Sequence, residues 1–327
     1  MPTLDTLRID NYLEDGGYFA SMADDVRIGL TSTPKKLLPK YFYDAHGSNL
    51  FEQITELPEY YPMRAESALL QTHAAQIMAS LQPDEIVELG SGSSTKTQIL
   101  LDAQDGSHPV TSYVPIDVSE SIVRRAAGEL HKRYPELMIH GVVGDFERHL
   151  AKVPAPTGRR LVLFLGSTIG NLEPEPRVQL LSAVRDLLGP DDHLLLGTDL
   201  VKDIDVIELA YNDAAGVTAA FNLNILNVIN DGLDADFHTE AYKHVSFYNR
   251  DYDRIEMHLK PLVPQTVRLK AIDLTVDLRP DETIWTESSH KFTRESISAM
   301  LDAAGLKLDE WLSGDQPAFG LALASPE

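Results

Sequence analysis

Residues 84–97 read DEIVELGSGSSTKT, and the fold turns on how that stretch is parsed. Its first half, 84–90, is a short apolar run ending in glycine, the pattern of a strand covered on both faces. Its second half is a Gly/Ser turn leading into a helix through Leu100 and Leu101. The same unit then repeats. Residues 111–117 (TSYVPID) read as a second strand with a helix opening near Ser119, 138–145 as a third, 160–166 (RLVLFLG) as a fourth and 193–197 (HLLLG) as a fifth. Between the last two, Val178, Leu181, Val184, Leu187 and Leu188 fall at helical spacing and stop at Gly189-Pro190. Strands alternating with helices predict an α/β fold built on a parallel, doubly wound sheet.

Beyond residue 200 the rhythm stops. Val217, Phe221, Ile225, Val228 and Ile229 mark one long helix, and strand-like alternation follows, as at 267–278. A helix over 295–304 and an apolar run at 318–324 (AFGLALA) return to the sheet pattern. Two domains are expected: the sheet domain from 65–200 and 291–327, and a second, smaller α+β domain from 1–64 and 201–290.

Composition narrows the classes. The chain has 327 residues, 50 acids against 28 bases, a net charge of −22 and no cysteine. Disulfides, Cys-ligated metal and thiol nucleophiles are excluded at once. The acidity argues against nucleic acid or an anionic membrane as partner, because both are bound through Lys and Arg. No apolar stretch is long enough to span a bilayer, and Asp5, Asp10, Glu14 and Asp15 interrupt any leader-like run at the start. A cytoplasmic protein is expected. The eleven histidines show no H-E-x-x-H or comparable spacing, so no metal is expected. No G-x-S-x-G elbow supports hydrolase chemistry. No heptad or long apolar edge demands assembly, so a monomer is expected.

The loop Glu88–Leu89–Gly90–Ser91–Gly92–Ser93–Ser94 carries the first chemical signal. Glycines at 90 and 92 let the backbone turn tightly and approach a ligand. Three nucleotide-binding loops share this style. The dinucleotide fingerprint wants a third Gly or Ala where Thr95 stands, and a P-loop wants glycine before Lys96. An acid followed by G-x-G, the methyltransferase version, matches with Ser94 in place of a frequent third glycine. Asp117 then ends the second strand, where a carboxylate can accept both ribose hydroxyls of an adenosine. Asp145-Phe146 follows the third strand, where an acid can take the adenine amino group and an aromatic can pack on the ring. A lone acid at a strand end is most often a cap; three consecutive strand ends of this kind are harder to dismiss. The fourth strand end, 166–171 (GSTIGN), lies where a transferred methyl group and its acceptor should meet.

Over essentially its whole length the sequence resembles the histidine-specific Nα-methyltransferases of ergothioneine biosynthesis. The resemblance is carried by residues 40–44 (KYFYD), 47–61 (GSNLFEQITELPEYY), 88–97, 164–172 (FLGSTIGNL), 197–203 (GTDLVKD), 211–222 (YNDAAGVTAAFN), 254–257 (RIEM) and 286–292 (TESSHKF). It implies a Rossmann-like class I methyltransferase sheet beside a substrate-binding domain. It also implies three methyl transfers from S-adenosyl-L-methionine to the α-amine of L-histidine, through mono- and dimethylated intermediates, giving hercynine. By this resemblance Gly90, Lys96, Asp117, Asp145 and Phe146 hold the donor, with Tyr43 close by and counted, with Asn171, as catalytic. Tyr60, Asn171 and Tyr211 hold the amino acid's amine and carboxylate. Glu287, Ser288 and Ser289 read the imidazole, with Met257 nearby. Tyr61 is left as a packing residue, and Lys202-Asp203 as a solvated ion pair or hinge.

Three rivals stand beside this reading. The nearest is a methyltransferase acting on another amino acid or small amine. A nicotinamide-dependent dehydrogenase is disfavoured by Thr95. A donor-binding regulatory protein without catalysis is disfavoured by the presence of Tyr60, Asn171 and Tyr211.

Overall fold

The computed structural model describes residues 6–13, 17–104, 106–315 and 317–327; Asp5, Glu14 and Asp15, which count against a leader, lie outside them. The chain divides into two compact units. One comprises the chain up to Tyr12, Pro62–Val201 and Lys291–Glu327, the other Leu13–Tyr61 and Lys202–His290.

The first unit is built on an eight-stranded sheet. In spatial order its strands are Leu7–Asn11, Met138–Val143, Ser112–Asp117, Glu85–Leu89, Arg160–Phe164, His193–Asp199, Ala318–Pro326 and Leu306–Asp315. The first six are parallel and the last two join antiparallel. Every residue of Glu85–Leu89 and Arg160–Phe164 is buried, as the middle of a sheet covered on both faces requires. Alternation splits their side chains between two cores. Ile86, Leu161 and Leu163 join Leu70, Ile77 and Tyr113; Val87, Val162 and Phe164 join Ile116, Leu181 and Leu301. Glu85–Leu89 lies between Ser112–Asp117 and Arg160–Phe164, so the winding reverses there. The crevice at the carboxyl end of such a strand is where doubly wound sheets bind ligands.

The α/β reading holds, and two strands extend it. Leu7–Asn11 pairs along Met138–Val143 at the sheet edge, so this segment goes with the sheet and not with the second domain, where 1–64 is expected. Five residues at an edge carry too little pattern to announce a strand. Leu306–Asp315 forms a hairpin with Ala318–Pro326, and a register shift between Leu308 and Glu310 breaks the alternation that would have marked it.

The second unit packs helices Gly17–Thr31, Ala45–Glu56, Ile204–Ala210 and Val217–Leu233 with a four-stranded sheet. The sheet order is Lys35–Lys36, Ile284–His290, Arg254–Pro261, Tyr242–Asn249, and Gln265–Leu269 with Leu274–Leu278 forms a separate ribbon. The apolar stripe of Val217–Leu233, with Phe221, Ile225 and Ile229 buried, shares one core with Phe42, Ile255, Met257 and Leu259. Among the described residues no helix is long and apolar enough to cross a membrane.

Candidate active site

In the sheet unit the Gly-rich loop follows Glu85–Leu89 with three left-handed residues, Gly90 (φ +65°), Gly92 (+50°) and Ser94 (+55°). Only glycine takes the first two without strain. The Phe146 ring lies against Gly90, 3.7 Å from where a β-carbon would stand, and packs edge-on to Phe164. Asp117 anchors the loop: one oxygen accepts from Gly92 N (3.0 Å), the other from Ser119 N (2.9 Å). Burial raises its carboxyl pKa, and those N–H groups pull it back. The Val118 N–H also bonds this carboxylate, and with about four lone-pair sites it keeps room for a further donor. Asp145 caps the short helix Phe146–His149 through Glu147 N (3.0 Å).

Beneath the loop lies a closed polar network. Thr97 Oγ1 and the Tyr113 hydroxyl both donate to Glu88, and Ser94 Oγ lies 2.7 Å from Tyr113 OH. Glu88 is buried, and desolvation pushes its carboxyl up to about 7 against the pull of those donors and of Lys96. The Ser91 hydroxyl is buried in the loop with no partner among the described residues, the kind of atom a bound polar ligand would pair. Loop, anchoring carboxylate, facing aromatic ring and orphan hydroxyl fit an adenosyl donor.

Sequence reading missed the residue that organises the loop's far side. Glu66 is fully buried; it pairs with Lys96 (2.5 Å) and accepts from Gly166 N through both oxygens (2.9 Å). It thereby ties the helix after the Gly-rich loop to the fourth strand end, which runs through left-handed Ser167 into the turn Thr168–Asn171. A β-carbon on Gly197 would stand 1.8 Å from Glu66 Oε1, so that glycine makes the space for the carboxylate. The signal was present. Pro62, Ala65, Leu69, Leu70, Ala74, Ile77 and Met78 form the buried stripe of Pro62–Leu81, and Glu66 is the acid within it. Lys291 and Asp199, both buried, form a further ion pair at the fifth strand end (2.9 Å).

The second unit gathers the other expected residues. Tyr43, Phe51, Tyr60 and Tyr211 form a chain of edge contacts, with ring centres 5.6, 6.2 and 6.3 Å apart. Phe51, the link between the tyrosines, is a residue the sequence does not single out; it also packs on Phe221. Asp44 caps Ala45–Glu56 through Gly47 N and accepts from Asn224, fixing the chain next to Tyr43. Asp213 accepts from Val217 N and Thr218 N, which fixes the loop after Tyr211, and these bonds lower its pKa against the effect of burial. Lys202 lies over the Tyr61 ring and bonds its hydroxyl, while Asp203 caps Ile204–Ala210.

Strand Ile284–His290 decides the rest. It pairs with Arg254–Pro261, matching Trp285 to His258, Glu287 to Met257, Ser288 to Glu256 and Ser289 to Ile255, with a register shift between Trp285 and Glu287. Paired residues share a face. The bulge therefore puts Glu287 and Ser289 on the buried face of Met257 and leaves Trp285 stacked on His258 across the strand. Ser288, expected beside them, pairs with Glu256 and faces the other way. Met257, Glu287 and Ser289 are brought together; the Ser288 side chain is not. Among the described residues no cluster of His, Asp or Glu is arranged to hold a metal ion.

Residues 22–326 match the family described as histidine-specific, S-adenosylmethionine-dependent methyltransferase. The chain is 50% identical over 319 residues, 98% of its length and 99% of the relative's, to the histidine N-alpha-methyltransferase of Mycolicibacterium smegmatis. It is 48% identical over 318 residues, 97% and 98% of the two chains, to the protein of the same name from Mycobacterium tuberculosis. It is also 31% identical over 299 residues to ergothioneine biosynthesis protein 1 of Neurospora crassa, covering 89% of this chain and 33% of that longer one.

Proposed function

Because the chain belongs to the histidine-specific, S-adenosylmethionine-dependent methyltransferases, we propose a division of labour between its two units during methylation of L-histidine. The reaction is N-methylation of the α-amine to hercynine, the first step of ergothioneine biosynthesis, and no metal takes part. The sheet unit holds the donor. Asp117 takes the ribose hydroxyls, Asp145 the adenine amino group, and Phe146 the purine face. Lys96 meets the donor's carboxylate with the N–H bonds that Glu66 does not use. The second unit supplies Tyr60 and Tyr211 for the amine and carboxylate, and Glu287 with Ser289 to read the imidazole beside Met257; by the same resemblance Asn171 also serves the amine and carboxylate and, with Tyr43, is catalytic. The enzyme acts as a cytoplasmic monomer, and the mono- and dimethylated amino acids are its intermediates.

The chemistry asks little of a base. At each step the nitrogen lone pair forms a bond to the sulfonium methyl carbon, and the S–C bond breaks with its electrons going to sulfur. Before each transfer the ammonium loses one proton, so conversion to the trimethylated product releases three. An α-amine with a pKa of about 8 is ~10% neutral at pH 7, a cost of roughly 1.4 kcal/mol, and a free amino acid holds its proton somewhat tighter. Positioning counts for more, up to ~7–11 kcal/mol when the reacting atoms are held near attack distance. Tyrosine and asparagine suit that task, since neither pins the proton as a carboxylate would.

The observation that carries the choice of acceptor is the bulge between Trp285 and Glu287, which puts a carboxylate on the buried face of Met257. A carboxylate accepting an imidazole N–H favours histidine over apolar rings, by as much as about 10⁴ in sites built around such a bond. Purified protein with S-adenosylmethionine and a panel of amino acids, read by mass spectrometry for added methyl groups, tests the activity. Glu287→Ala tests the assignment. Histidine turnover at low substrate falls by about 10²–10⁴ relative to phenylalanine or tryptophan; an unchanged preference removes Glu287 from the pocket.

A further inference from the structure

The acceptor unit contains a buried polar relay that no step of the methyl transfer uses. Asn222, fully buried on Val217–Leu233, donates from Nδ2 to His258 O (3.1 Å) and to His244 Nδ1 (2.8 Å). Its Oδ1 accepts from Thr286 Oγ1 (2.6 Å), which also reaches Met257 O (3.0 Å). At the other end His244 Nε2 lies 2.9 Å from Tyr211 O. The donors and acceptors leave one arrangement. The carbonyls of His258 and Tyr211 only accept, so Asn222 turns its nitrogen to His258, His244 Nδ1 is an acceptor, and the imidazole proton sits on Nε2. Burial holds His244 neutral, reinforced by His258 and opposed by Asp213 and the Tyr211 carbonyl.

The ends of this relay are the informative part. One is the main chain of Tyr211. The other is Thr286, the residue inside the bulge that sets which face Glu287 occupies. The single Thr286 hydroxyl proton is shared, from within that bulge, between Asn222 Oδ1 on a helix and Met257 O on the neighbouring strand. A bulge held by that shared bond has one geometry; without it the extra residue is free to relax along the strand.

We infer that Asn222, His244 and Thr286 are positioning residues for acceptor recognition, tying the Tyr211 loop to the bulge that presents Glu287. This rests on the reading that Tyr211 and Glu287 hold the amino acid. The relay touches neither reacting atom nor donor, so its loss acts on acceptor affinity and selectivity and leaves donor binding alone.

Thr286 supplies the cleanest test, because Val keeps its shape without the hydroxyl and Ser keeps the hydroxyl without the methyl. Full-length Thr286→Val, Thr286→Ser, Asn222→Leu and Glu287→Ala proteins are compared for histidine KM and kcat, preference over other aromatic amino acids, and affinity for S-adenosylhomocysteine by calorimetry. Thr286→Val raises the histidine KM about tenfold with a smaller change in kcat and the same S-adenosylhomocysteine affinity, and Thr286→Ser stays within about twofold of the parent. If Thr286→Val leaves KM and preference at parental values while Glu287→Ala abolishes the preference, the relay is packing only and the inference falls alone. If Thr286→Ser loses as much as Thr286→Val, the methyl group and not the hydroxyl matters, and the inference falls likewise. If Glu287→Ala itself leaves the preference intact, the reading of the pocket falls and takes the relay's role with it. Should Asn222→Leu fail to fold, the Thr286 pair decides the matter without it.

Discussion

The proposed donor and acceptor regions are built by opposite means. On the donor side the backbone is the instrument: left-handed Gly90 and Gly92, a carboxylate held by two main-chain N–H groups, and strand ends spaced by a repeating fold. On the acceptor side the backbone contributes a bulge between Trp285 and Glu287 and a left-handed Gly216 after Tyr211, and side chains do most of the placing. An aromatic chain runs from Tyr43 to Tyr211, and a relay runs from Tyr211 to Thr286. Changes in backbone room should therefore damage the donor region most, and changes in hydrogen-bonding side chains the acceptor region.

Gly197→Ala puts the largest strain on this contrast. Its new methyl would stand 1.8 Å from Glu66 Oε1, with the Leu165 main chain at 3.3 Å, so the carboxylate must move. Moving it strips Lys96 and Gly166 N of their partner in a buried setting, where breaking an ion pair costs about 3–5 kcal/mol. The expected result is a sharply lower unfolding midpoint and loss of S-adenosylhomocysteine binding. A protein that unfolds and binds as the parent does would show that Glu66 does not organise the donor loop.

A smaller effect separates the network beneath that loop from the loop itself. Glu88 titrates near 7 in the folded protein against 4.5 for a free glutamate, because burial disfavours its charge. The folded state holds this proton more tightly than the unfolded chain. Its stabilising contribution is complete below pH 4.5 and is lost as pH rises through about 7, a span worth up to about 3 kcal/mol. Between pH 5 and 8 the parent should lose stability to denaturant where Glu88→Gln, still able to accept from Thr97 and Tyr113, does not. Parallel pH curves for the two proteins would assign the slope to other groups.

The same contrast explains what the amino-acid sequence shows and what it hides. Parallel strands buried on both faces announce themselves as apolar runs, and the loops after them occupy places the topology dictates, so Gly90, Asp117 and Asp145-Phe146 are legible from residue order alone. Glu66 is legible in principle, as an acid in an apolar helical stripe, but only pairing with Lys96 and Gly166 gives it meaning. Asn222, His244 and Thr286 are not legible as a set, for their relation is a relation between a helix and two strands far apart in the chain. The face of Glu287 is hidden for a simpler reason: strict alternation from Trp285 would put it beside Trp285, and a one-residue bulge reverses that.

Ser288 gives the finest test of the bulge. The motif at 286–292 suggests three consecutive residues around an imidazole, but a strand shows only alternate residues to one face. With Glu287 opposite Met257 and Ser289 opposite Ile255, Ser288 is opposite Glu256, in the row that holds His258 and Arg254. There Glu256 accepts from Arg254 and Asn249 and lies 3.0 Å from His258, partners that keep its pKa low despite burial. Ser288→Ala should therefore leave histidine KM and kcat within about twofold of the parent, less than the roughly 0.5–1.5 kcal/mol that a hydrogen bond to the substrate is worth. Ser289→Ala, one residue further and on the Glu287 face, should raise KM by about five- to tenfold, the loss of one such bond. If the two serines exchanged these outcomes, the register across Trp285 and Glu287 would have to shift by one residue, and Glu287 would turn away from Met257 with it.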